Sequence, residues 1–144
     1  MTTELSEIQE ENKAKVRRLI DEVFSRQNLG VADEIMAPDI KENQRFVPPI
    51  PTGPDGSKAL SKSLHSMFSD FTFTIEDMVA FGDKVWFRMK ARGTNTGKVM
   101  GRPPTGKKVE VDVIDIVRFK DGKIVEHWGV PDQLGMLEQL GIIE

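Results

Sequence analysis

Residues 109–133 constrain this chain most: Val-Glu-Val-Asp-Val-Ile-Asp-Ile-Val-Arg-Phe-Lys-Asp-Gly-Lys-Ile-Val-Glu-His-Trp-Gly-Val-Pro-Asp-Gln. Two apolar alternating runs separated by Asp121-Gly122 predict a β-hairpin, because that dipeptide supplies the positive φ a tight turn requires. Successive strand side chains point to opposite faces, so Asp115 shares a side with Val111, Val113, Val117 and Phe119. A carboxylate in the middle of an apolar row is costly unless it is paired or used. The returning strand brings Glu126, His127 and Trp128 back past it.

Two registers are open. A two-residue loop at Asp121-Gly122 pairs Lys120 with Lys123 and sets Asp115 opposite Trp128, with His127 on the other face. A type I turn at Lys120-Asp121, with Gly122 in a left-handed bulge position, pairs Phe119 with Lys123 and sets Asp115 opposite His127. The second is favoured because it also pairs Val117 with Val125 on one apolar face.

Upstream, Val16, Leu19, Ile20, Val23 and Phe24 fall on one stripe and predict an amphipathic helix over about residues 6–28, ended by Gly30. A short helix over 31–36 should stop at Pro38. Residues 39–47 have mixed character, and 48–54, with four prolines, read as a loop rimming a cleft. Leu60, Leu64, Met67 and Phe68 place a second long helix over 57–69. Phe71 to Ile75 alternates as a strand, continued by 77–81 with a bulge. After a turn at Gly82-Asp83, residues 84–94 carry Val85, Phe87, Met89 and Ala91 on one face and Trp86, Arg88, Lys90 and Arg92 on the other, the latter facing solvent or a subunit. Residues 97–108 must loop. A final short helix over 132–140 has Asp132 as N-cap and Gly141 as its stop. Helices segregated from a run of four antiparallel strands indicate an α+β domain, with a bent sheet wrapped against the helices as a cone with an internal pocket.

At 144 residues this is one domain, 1–144, large enough to bury a core. No apolar run approaches the roughly 20 residues of a membrane span, and the polar, acidic start lacks the features of a secretion signal. The chain has no cysteine, which excludes disulfides and thiolate metal sites and makes the cytoplasm the default location. A net charge of -3 with scattered basic residues argues against nucleic acid as a partner. With two histidines and no His-x-x-x-His spacing, no metal site is expected. Neither a Gly-x-Ser-x-Gly nucleophile motif nor a phosphate-binding loop is present.

Gly101, Pro103-Pro104-Thr105-Gly106-Lys107, Val109, Asp115-Ile116, Arg118-Phe119, Asp121-Gly122-Lys123-Ile124, Glu126-His127-Trp128, Asp132 and Gln139-Leu140-Gly141 together resemble the SnoaL-like polyketide cyclase (ester cyclase) family. The overlap is dense over residues 93–141, and the helix order before it agrees. The resemblance implies the nuclear transport factor 2-like cone, an α+β barrel with a deep pocket, commonly dimerised through the outer sheet face. It also implies cofactor-free and metal-free lyase or isomerase chemistry. An aspartate helped by a histidine removes a proton from a carbon flanked by carbonyls, and the enolate closes a ring by aldol addition. Two departures stand out. Asn95 occupies a position where members often carry histidine, and the chain has no tyrosine.

On this reading Asp115 is the general base and His127 its proton partner, acting on a small hydrophobic carbonyl compound. Asn95 or an ordered water is a donor to the developing enolate oxygen, Trp128 a pocket wall, and Asn43, Arg45 and His65 polar groups at the cone mouth. Each has a plainer account. Asp115 is then a carboxylate fixed by an arginine or backbone amide, His127 a sheet histidine, Trp128 core, Glu126 a partner of Arg118 or solvent-facing, and the rest surface polar groups. A rival for the whole is a ligand-binding or dimerisation module without catalysis, which requires Asp115 to be fully hydrogen-bonded in a filled interior. An isomerase or dehydratase using the same pocket is the other alternative.

Overall fold

In the computed structural model, which describes residues 3–143, β1 (Met36–Glu42), β2 (Thr72–Phe81), β3 (Lys84–Thr94), β4 (Lys108–Lys120) and β5 (Lys123–Pro131) form one curved, open sheet. Its order is β1-β5-β4-β3-β2. The strands from β2 to β5 pair antiparallel, whereas β1 lies parallel to β5, so the sheet is mixed. The helices are α1 (Thr3–Arg18), prolonged by a π-helical stretch at Leu19–Ser25, then α2 (Val31–Ile35), α3 (Pro54–Met67) and α4 (Gln133–Gln139). The alternation in β3 and β4 is realised as expected. Val85, Phe87, Met89, Val113, Val117 and Phe119 are buried in one core with Val16, Val23 and Phe24 of the first helix.

Several local expectations are corrected. The first helix ends at Ser25 rather than near Gly30: Gln27 takes φ 58, and Gly30, at φ -61, opens α2 instead. Pro54 is not loop but the first residue of α3, where its missing N–H has no intrahelical partner to lose. The segment after α2 is a fifth strand. β1 is an edge strand and carries Pro38 in the irregular part of its ladder, between Met36↔Ile124 and Lys41↔Glu126.

The hairpin adopts neither predicted register. Asp121 and Gly122 both have positive φ, 51 and 78, and Lys120 pairs with Lys123 across a two-residue turn. A bulge then follows inside β5, because Phe119 pairs with Ile124 but Arg118 with Glu126, leaving Val125 extra. That residue restores the parity the turn alone would have lost. His127 pairs with Val117 and therefore shares the inner face with Asp115, whose own partner is Gly129.

Candidate active site

The inner face of the sheet and the helices enclose a cavity of about 760 Å³. Its wall is mostly apolar, with Phe24, Met36, Phe68, Phe71 and Met89 among its residues, and the loop of residues 44–53 forms one side. Asp115 and His127 both open onto it.

β1, β4 and β5 each contribute one member of a hydrogen-bonded chain. His127 Nε2 lies 3.1 Å from Asp115 Oδ2 and His127 Nδ1 lies 2.5 Å from Glu42 Oε2. Glu42 reaches the ring because β1 runs parallel to β5 with Glu42 in register with His127. Its Oε2 also accepts a hydrogen bond from the Gln44 backbone N–H at 3.0 Å. Burial disfavours the charged imidazole, but the hydrogen bonds and charges of Asp115 and Glu42 outweigh it and raise the His127 pKa to about 9. At neutral pH the ring is thus an imidazolium donating from both nitrogens.

Asp115 Oδ1 is buried and has no hydrogen-bond partner among the described residues. An unsatisfied carboxylate oxygen of this kind is a functional candidate, because satisfying it would stabilise the fold. Gly129 gives it room. A Cβ there would overlap Gln44 Oε1 and lie 2.7 Å from Asp115 Oδ1 and 3.0 Å from His127 Cε1. The three polar side chains converge over a bare Cα.

The other sequence-predicted residues lie apart from this cluster, except Arg45, which lines the cavity from the exposed entry loop. Asn95 is 2% exposed and fully occupied: Nδ2 donates to the carbonyls of Met67 and Gly97, and Oδ1 accepts from Thr105 N–H and hydroxyl. It fastens the 97–106 loop beside a separate cleft of about 230 Å³, and keeps no donor for a substrate. Trp128 pairs with Ile116 on the outer face, its ring beneath Lys84 Nζ at 5.9 Å, because the Val125 bulge that turns His127 inward turns Trp128 outward. Asn43 ties the end of β1 to β5, donating to Glu126 Oε2 and the His127 carbonyl. His65 Nε2 donates to the Phe24 carbonyl at 2.6 Å and its ring meets the edge of Phe71, a satisfied helix-packing histidine. Glu126 takes its pairing reading, held below the usual carboxylate range by the Asn43 amide and, despite some burial, by Arg118. Asp132 caps α4, accepting from Gly135 N–H at 2.9 Å.

Glu42 and Gln44 are the site residues that sequence reasoning missed. Both depend on β1 pairing parallel with β5 across 85 residues of chain, a contact that leaves no local pattern. The glycine at 129, interrupting a strand of large side chains, is the one signal that pointed to a close approach there.

A family model described as SnoaL-like polyketide cyclase matches residues 14–140. The chain is 29% identical over 128 residues to the aklanonic acid methyl ester cyclase DauD of Streptomyces sp. (strain C5), covering 88% of this chain and 79% of that one. It is also 29% identical over 111 residues to a nogalonic acid methyl ester cyclase of Streptomyces nogalater, covering 76% and 82% respectively. Among solved structures, wild-type IdmH from Streptomyces antibioticus superposes with a TM-score of 0.80 at 33% identity, over 90% of this chain and 98% of that one. No helix among the described residues is long and apolar enough to cross a membrane.

Proposed function

The chain belongs to the SnoaL-like polyketide cyclase family, which supports a cyclase role, and from that premise we propose that it closes a ring by general acid-base chemistry with Asp115 as the base. Asp115 Oδ1 removes a proton from a carbon next to a carbonyl group, leaving the electron pair as an enolate and Asp115 as the carboxylic acid. The enolate carbon attacks a second carbonyl within the same molecule. The alkoxide so formed takes the proton back from Asp115, which returns the enzyme to its starting state. His127, held between Glu42 and Asp115, occupies Oδ2 and leaves Oδ1 toward the substrate. No cofactor enters this scheme.

One observation carries the reading: the unpartnered Oδ1 stands beside an open cavity, whereas a module without catalysis calls for a satisfied Asp115 in a filled interior. The apolar wall favours a small, neutral carbonyl compound, and relatives named for methyl ester substrates point to a keto ester. Replacing Asp115 by Asn should lower deuterium uptake at the activated carbon of a bound keto ester by roughly 10³-fold with the fold intact. Unchanged uptake sinks the role.

The outer sheet face supports pairing of two copies. A cross-strand row of Val79, Trp86, Ile116 and Trp128 runs over four strands, with Val79 and Trp86 exposed. We take this row as the centre of a homodimer contact.

A further inference from the structure

An enolate needs a hydrogen-bond donor at its oxygen, and the groups first in line are committed elsewhere. Both His127 nitrogens are bound to carboxylates, and both amide hydrogens of Asn95 are bound to the carbonyls of Met67 and Gly97. We propose that Gln44 is the donor: its side-chain amide binds the enolate oxygen while Asp115 Oδ1 holds the abstracted proton. The proposal rests on Asp115 being the base.

Three observations place Gln44 there. It lines the cavity from the first turn of the loop after β1. Its side-chain amide makes no hydrogen bond among the described residues, whereas its backbone N–H is fixed to Glu42 Oε2, so the main chain is anchored and the amide is free. The amide end stands over Gly129, beside Asp115 Oδ1 and His127 Cε1, in the space that any other residue at 129 would fill with its Cβ. A half-turn about the Cγ–Cδ bond exchanges Oε1 for Nε2, presenting an N–H where the oxygen stands. Glu42 then serves two ends at once. One carboxylate oxygen positions both the imidazolium that orients the base and the backbone that carries the donor.

In the chemical step the C–H bond breaks, an O–H bond forms at Asp115 Oδ1, and the negative charge moves to the carbonyl oxygen, where the Gln44 N–H meets it. The interaction strengthens as charge develops, so its loss should appear in kcat more than in KM.

Deuterium uptake by 2-tetralone, followed by NMR in the full chain, and binding of 2-naphthol, which has the shape of the 2-tetralone enol, test this together. Gln44→Met keeps the size of the side chain without its donor. It should lower kcat for exchange roughly 10²-fold with little change in KM, and weaken the preference for bound naphtholate over naphthol by a similar factor; Gln44→Glu should do the same. Unchanged exchange and unchanged naphthol ionisation in Gln44→Met, with exchange still lost in Asp115→Asn, overturn the Gln44 role and leave the base assignment standing. Absence of exchange by the wild-type chain saturated with 2-tetralone overturns both.

Discussion

On the outer face of β3, Arg88 lies 2.7 Å from Asp77 and 3.4 Å from Asp112, Lys90 lies 2.9 Å from Asp112, and Arg92 lies 2.7 Å from Glu110. On the inner face of the adjoining β4, Asp115 has one partner for two oxygens, and that partner is shared with Glu42. Both faces come from alternate residues of the same strands, yet one sets Arg88, Lys90 and Arg92 each beside a carboxylate and the other leaves a surplus carboxylate oxygen in an apolar wall. The difference lies in solvent. Outside, water screens the ions, and pairing contributes little beyond solubility and register. Inside, each charge must be held by a fixed partner, so an oxygen left without one carries a cost that the outer pairs do not.

Removing the inner cation should have the larger effect. His127 gains protons on folding, so the stability it contributes is fully present below its ordinary value near 6.5 and is lost as pH rises through about 9. His127→Gln should remove that dependence, at most about 3 kcal/mol between pH 6 and pH 10 by thermal unfolding, and should lower exchange activity as Asp115 loses its orientation. A variant with the wild-type pH profile breaks the comparison, since the inner charges would then behave like surface ions. On the outer face, Trp86→Lys should weaken self-association by roughly 30-fold, about 2 kcal/mol, read by sedimentation, with exchange activity per folded chain unchanged. A monomeric wild-type chain removes the apolar row from the argument for pairing. The smallest change is expected for Arg88→Ala, a melting shift of at most a degree or two that fades in high salt. A large, salt-insensitive loss there would show that the outer pairs are structural after all.

How much of this was legible in the sequence follows the same division by range. Alternation within β2 to β5, the Asp-Gly turn and the Asp132 cap are set by neighbours a few residues apart, and each is present. The sequence points to the contact of Asp115 with His127 but through a bulge at Gly122, whereas the bulge lies at Val125. β1 shows no strand pattern in the sequence because Pro38 and the interrupted ladder spoil its alternation, which hides Glu42 and Gln44 as well. Trp128 as a pocket wall fits only the register without a bulge, and the bulge at Val125 turns it outward. Asn95 looks like an available donor in the sequence because nothing local shows that Thr105, Met67 and Gly97 consume its amide.

The extra residue in β5 has a consequence for how this hairpin tolerates changes of length. Losing Val125 would leave Ile124 opposite Phe119 and Glu126 opposite Arg118, so every later residue of the strand would keep its face. Losing a residue between His127 and Gly129 would reverse the faces of one side of the break relative to the other and part the imidazole from the bare Cα on which the site converges. Along β5, then, a deletion is neutral in direction at Val125, and a few residues further on the same deletion dismantles the acid-base pair.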